Sequence, residues 1–180
     1  MTLEALFAGR GIDPEASYRR MKALMDAEGL PYGRRTHTYN SRLAQELGSW
    51  ADAREPHGGS GPHGSSVPGG GSALHDALYR AYFVDARNIG DLETLVAIAE
   101  SVGLPGAEAR DVLVERRFRA AVDADWQKSG MYGVTGVPTF VAGRHGVVGA
   151  QPYEVLERLV REAGAPTRGP DPGRGVMGPE

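Results

Sequence analysis

The sequence predicts an α/β chain that is mostly helix and ends in a short C-terminal β-β-α unit. Three observations predict it. Apolar residues recur at three- and four-residue intervals through most of the first 130 positions, the period of amphipathic helices. The period then changes: "PTFVAG" and "GVVGA" read as two short strands joined by a turn at Gly143–Gly146. A last amphipathic stretch runs on from Pro152, with Val155, Leu156, Leu159 and Val160 on one side.

Each element has its own signals. Asp13-Pro14 is a helix start of the N-cap and N1 kind, and Tyr18, Met21, Leu24 and Met25 follow on one face. Gly29 closes that helix and Pro31 enforces the stop. Asn40 can cap a second helix whose stripe is Leu43, Leu47, Trp50 and Ala51. Residues 54–72, "REPHGGSGPHGSSVPGGGS", offer only Val67 for burial and cannot offset their ordering entropy, so a flexible linker is expected there. Leu74, Ala77, Leu78, Ala81 and Tyr82 resume the helical stripe, and Asp91 caps "LETLVAIAESV" before Gly103 ends it. Short helices are expected over 106–114 and over 115–130, the latter with Phe118, Val122 and Trp126 in line. Residues 164–180 form a Gly/Pro-rich tail expected to be disordered. The expected organisation is a helical region over 1–130, a β-β-α unit over 131–163, then the tail. Two strands alone are marginal, so the sheet lacks a partner.

Composition narrows the functions. With 180 residues, 41% hydrophobic and 24% charged, this is ordinary globular material. A net charge of −3 provides no basic field for nucleic acid. No apolar run approaches the roughly 18 residues of a membrane span, and "MTLEALFAGRG" lacks a secretory apolar core. A cytoplasmic location, with no membrane and no nucleic-acid partner, is the expectation. Cysteine is absent from the sequence, so these residues can form no disulfide, zinc-thiolate site, thiol nucleophile or Cys-x-x-Cys pair.

Other constellations carry little chemistry. "GSGPHG" at 59–64 matches a dinucleotide-binding pattern but has no strand before it or helix after it, and Pro62 sits inside it. His57 and His63 lie in the same linker, no zinc spacing is met, and no metal or cofactor is expected. Asp123 and Asp125 diverge on a helix and read as a solvated face. Tyr79, Tyr82 and Phe83 read as core, since nothing basic interleaves them. No Ser-centred elbow and no catalytic residue is assigned.

The informative stretch is "GVTGVPTFV", residues 133–141. Proline cannot donate to a sheet ladder, so Pro138 either opens a strand as a trans residue or occupies a cis bond, which before proline costs only about 0.5–1 kcal/mol. In the second case the backbone of Val137 is presented to an extended ligand.

Four segments, "HTYNSRLAQELGSWA", "LHDALYRAYFVDARNIGD", "LVAIAESVGL" and "GVTGVPTFVAGRHGVVGAQPYEVLERLV", together resemble the DsbA-like thioredoxin superfamily. The resemblance is nearest to its FrnE-like branch, related to 2-hydroxychromene-2-carboxylate isomerases and kappa-class glutathione transferases, and covers about 145 residues. It implies a thioredoxin fold with a large helical insertion. The first strand, the Cys-x-x-Cys helix and the second strand would precede that insertion, so the chain is expected to be N-terminally incomplete. It also implies that Pro138 is cis and that Val137 and Pro138 bind a thiol or an extended polypeptide ligand.

Two functions follow from the resemblance, and the unpaired strand edges with Val137 and Pro138 add a third. The family activity is thiol–disulfide oxidoreduction, with this cysteine-free chain inert alone, either truncated or a pseudo-enzyme. The alternatives are a glutathione-dependent isomerase or transferase, and a non-catalytic peptide-binding module whose open strand edges also suit a homodimer.

Overall fold

Eight helices and one two-stranded sheet make up the described residues, 1–54 and 71–166 of the computed structural model. The chain divides into two compact units, the first Met1–Asp125 and the second beginning at Trp126.

The first unit opens with α1 (Leu3–Phe7) and α2 (Pro14–Ala27). The Thr2 hydroxyl accepts from the Ala5 N–H and the Asp13 carboxylate from the Glu15 N–H, so both helices start on side-chain caps. Residues 1–3 run antiparallel to 36–38: Leu3 N–H donates to Thr36 O at 2.9 Å and Thr38 N–H to Met1 O at 2.9 Å. The stripe expected on α2 is not a core face. No α2 residue is buried, and Met21 and Leu24 face solvent.

The core of this unit lies between α3 (Arg42–Arg54), α4 (Gly71–Phe83), α5 (Leu92–Ser101) and α6 (Gly106–Val114). Leu47, Leu74, Leu95, Ile98, Val112 and Leu113 are its fully buried members. Each such side chain stabilises the fold by about 1.5–3 kcal/mol on burial. Asn40 Oδ1 accepts from the Arg42 N–H at the start of α3, and Asp91 accepts from Thr94 at the start of α5. Arg54 closes α3 while Gly71 and Ser72 open α4, so both ends of the linker expected over 54–72 are helical. The rest of it, with His57, His63, Val67 and the "GSGPHG" motif, lies outside the described residues, as do 167–180 of the expected tail.

The helix expected over 115–130 begins later. Arg116 takes a φ of 55°, a left-handed conformation that breaks the chain out of α6, and α7 runs Arg119–Met131. Val122 is buried on it, but Trp126 is 59% exposed. Among the described residues of the first unit the buried charged side chain is Glu46, 0% exposed. Its carboxylate takes both Nε and Nη2 of Arg116 and the Nε of Arg42, which satisfies a buried charge that would otherwise be costly.

In the second unit β1 (Thr139–Ala142) and β2 (His145–Val148) form an antiparallel hairpin, with Thr139 opposite Val148 and Ala142 opposite His145. The turn is the two residues Gly143 and Arg144. Gly143 has φ 59°, the positive value that such tight hairpin turns need. α8 (Tyr153–Glu162) packs on both strands, with Leu159 buried and Val155 and Leu156 half-buried. Val160, expected to face inward, is exposed. No helix among the described residues is long and apolar enough to cross a membrane.

Candidate functional site

The loop that leads into β1 is held from both ends. At the end of α7, Gly133 takes φ 69° while Gly133 N–H donates to Gly130 O and Val134 N–H to Ser129 O. This is the glycine-terminated stop that satisfies the last carbonyls of a helix. At the other end the Thr139 hydroxyl donates to Gly136 O at 2.6 Å, drawing the loop back across Val137 and Pro138. Pro138 O accepts from the Gly149 N–H at 2.8 Å, which extends the hairpin by one rung on its β2 side. Gly149 has φ 92°, and the Gln151 amide donates to Val148 O at 2.6 Å, closing the turn into α8.

Within this frame the Val137–Pro138 peptide bond is cis. The Val137 side chain is 90% exposed. Among the described residues neither its N–H nor its carbonyl makes a hydrogen bond. The alternation of an antiparallel ladder also turns the backbone groups of Thr139 and Val141 away from β2, so β1 has a free edge continuous with Val137. Val141 and Val148 share one face of the hairpin and both are exposed. The arrangement offers backbone donors and acceptors beside an apolar surface, the combination that an extended chain uses when it adds to a sheet edge.

Other histidine, carboxylate and aromatic side chains of the first unit carry structural contacts of their own. His75 Nε2 meets the Asp52 carboxylate at 3.0 Å and joins α4 to α3. His37 Nδ1 meets the Thr36 hydroxyl at 2.9 Å and its ring stacks on Tyr39. Asp123 is not merely solvated: it takes Arg42 and Arg119. Tyr82 and Phe83 do have a basic partner, because the Arg35 guanidinium lies 4.4 Å and 4.7 Å from their ring centres. Sequence reading missed it because Arg35 is more than forty positions away. It also missed Thr139 and Gly149, which a strand pattern alone does not separate from ordinary strand residues. Among the described residues no three His, Asp or Glu side chains are grouped as a metal would need.

A curated relative, the uncharacterised protein YwbO of Bacillus subtilis (strain 168), is 30% identical over 96 residues, 51% of this chain and 46% of that protein. The chain thus spans about half the length of the curated relative it matches. Residues 67–161, which carry α4 to α8 and the whole Val137–Pro138 loop, match a defined domain family over more than half of the chain, and the chain belongs to that family, the DSBA-like thioredoxin domain.

Proposed function

We propose that this chain is the ligand-gripping portion of a thiol–disulfide oxidoreductase of the FrnE-like branch, with Val137 and Pro138 forming one wall of its substrate groove. The observation that carries the reading is the state of Val137: fully presented, with both backbone groups unused, at the head of a free strand edge. An extended thiol-bearing polypeptide would pair with that backbone and lay alternate side chains over Val141 and Val148.

The attacking species in thiol–disulfide exchange is a thiolate, and these 180 residues contain no cysteine. In this reading the redox cysteines are carried outside them, by a preceding strand–helix–strand portion, and the chain alone turns nothing over. Its place of action is the cytoplasm.

The test is a backbone-amide NMR titration of the full chain with an extended, cysteine-containing peptide. Shifts concentrated over 136–141, and a loss of affinity of tenfold or more in Val137→Pro, support the reading. Shifts elsewhere, or none, overturn it. Saturable binding of glutathione at the same amides, with no binding of the peptide, would favour a glutathione-dependent isomerase or transferase. Equal affinity for a cysteine-free peptide would favour a plain peptide-binding module. In parallel, dithiothreitol-driven insulin reduction should proceed at the rate of the reagent alone.

A further inference from the structure

A second concave site lies far from this loop in sequence, among α1, the start of α2 and the segment 32–36. It is a cavity of about 210 Å³ lined by Phe7, Tyr18, Tyr32, Arg34 and Arg35 among others. An apolar cavity of roughly 150 Å³ is known to hold benzene, so this one has room for a six-membered ring and a small polar group.

The two arginines differ in how their charge is met. Arg34 pairs with Glu15 and lies over the Tyr18 ring at 5.5 Å. Arg35 has no carboxylate partner among the described residues. It is half-buried, sandwiched against Tyr82 and Phe83, with a single long hydrogen bond of 3.4 Å from Nη2 to the Tyr32 hydroxyl. Its Nε is shut off from water and bonded to nothing. An unmet buried donor on a half-buried cation with no carboxylate beside it carries a cost that an anion at its terminal nitrogens would help to offset. Tyr18 and Tyr32 stack with ring centres 5.9 Å apart, adding flat apolar wall to the same cavity.

We infer that this cavity is a binding site for a small monocarboxylate with a flat or compact apolar body, its carboxylate taken by the terminal nitrogens of Arg35. Two features favour a single negative charge over a phosphate dianion. Arg34 is already neutralised by Glu15, and Glu4 also lines the cavity and would repel a second charge. The stacked tyrosines and Phe7 favour a ring over a bare anion.

The experiment is calorimetric and NMR titration of the full chain with benzoate, hexanoate, benzamide and inorganic phosphate. Benzoate is expected to bind saturably, to move the Arg35 side-chain resonances, and to bind at least tenfold tighter than benzamide or phosphate. Hexanoate reports whether the tyrosine walls select a flat body, and should bind more weakly than benzoate. Arg35→Gln should remove benzoate binding. Because that change could also loosen the packing on Tyr82 and Phe83, Tyr18→Ala, which also lines the cavity, provides a second variant, expected to weaken benzoate at least fivefold with the thermal melt retained. Phosphate binding as well as benzoate, or no perturbation at Arg35 by any probe, overturns the inference.

Discussion

Arg116 grips Glu46 with two nitrogens, Nε on Oε2 at 2.8 Å and Nη2 on Oε1 at 2.6 Å, joining residues seventy positions apart. The guanidinium reaches the buried carboxylate from a backbone with φ 55°, so the left-handed turn before α7 is what aims it. Arg42 adds a third contact from the same helix as Glu46 and passes the network on to Asp123. Removing one member of a buried ion pair leaves the other uncompensated and costs about 3–5 kcal/mol. Arg116 and Arg42 can turn partly to water, so Glu46→Ala should cost toward the low end, about 3 kcal/mol. Arg116→Gly relieves the positive φ but leaves the Glu46 carboxylate, 0% exposed, with only the 3.3 Å contact to Arg42 among the described residues, and should cost at least as much as Glu46→Ala. Urea unfolding midpoints of the two variants check this order.

The same network sets an acid limit. The Arg116 hydrogen bonds outweigh the opposing effect of burial and hold the Glu46 carboxyl below its ordinary 4.5. A depressed folded-state value means that the stabilisation is complete above the unfolded value and is lost as pH falls through the folded one. The melting temperature should therefore fall as pH drops below about 4.5. In Glu46→Gln that part of the acid slope should be missing, although the variant starts from a lower melt at neutral pH. Parallel slopes in the two proteins would show that other carboxylates set the limit.

Helix caps should separate core from periphery. Asp91 accepts from the Thr94 N–H at 2.8 Å at the head of α5, whose Leu95, Val96, Ile98 and Ala99 are buried. Asp91→Ala should cost about 1 kcal/mol of global stability, and Asp91→Asn much less. Asp13 caps α2 in the same way, yet α2 buries nothing. Asp13→Ala should speed amide exchange within α2 and leave the global unfolding midpoint nearly unchanged.

What could be read from the residues follows from how local each signal is. The hairpin, α8 and the Asp91 cap are written in neighbouring side chains: a period of two, a turn glycine, an amphipathic stripe, an acid before a run of leucine and valine. Trp126 and the α2 stripe show the limit of that reading. Periodicity identifies a helix face but does not supply a surface to cover it: Trp126 is exposed on the same helix that buries Val122, and α2 buries nothing. Arg116, Glu46 and Arg35 were not legible because each depends on a partner tens of residues away. For the site, the Gly-Val-Pro-Thr sequence marked the place, while the bond from Thr139 back to Gly136 and the rung from Gly149 needed the folded chain.

Two glycines test how closely the backbone packs in the first unit. A Cβ on Gly33 would fall on the Val84 carbonyl, a backbone atom, beside the bond from Gly33 N–H to Phe83 O at 2.8 Å. One on Gly106 would meet the side chain of Glu100, an exposed and flexible group that can swing aside. Gly33→Ala should therefore destabilise by about 1–3 kcal/mol, the usual cost of overpacking. Gly106→Ala, at the first turn of α6, should be neutral or slightly stabilising, since alanine is the better helix former. Thermal melts of the two variants decide it, and equal losses would contradict the difference in what each Cβ meets.

Thr139 provides the finest test of the Val137 loop. Its hydroxyl bond to Gly136 O spans the two residues proposed to grip the ligand, so it holds the loop in shape without touching the ligand itself. Valine has nearly the same shape and favours a strand, so Thr139→Val should keep the hairpin and change stability by no more than about 1 kcal/mol. Without the hydroxyl, the loop samples more conformations and must be ordered on binding, which should lower peptide affinity roughly three- to tenfold. Thr139→Ser, which keeps the hydroxyl, should recover most of that loss. The open β1 edge beside it is also where two copies of the chain would pair, so sedimentation at rising concentration should show weak dimerisation. Saturating peptide should suppress that dimerisation if both partners use the same edge. Self-association that peptide leaves untouched would put the homodimer contact elsewhere on the molecule.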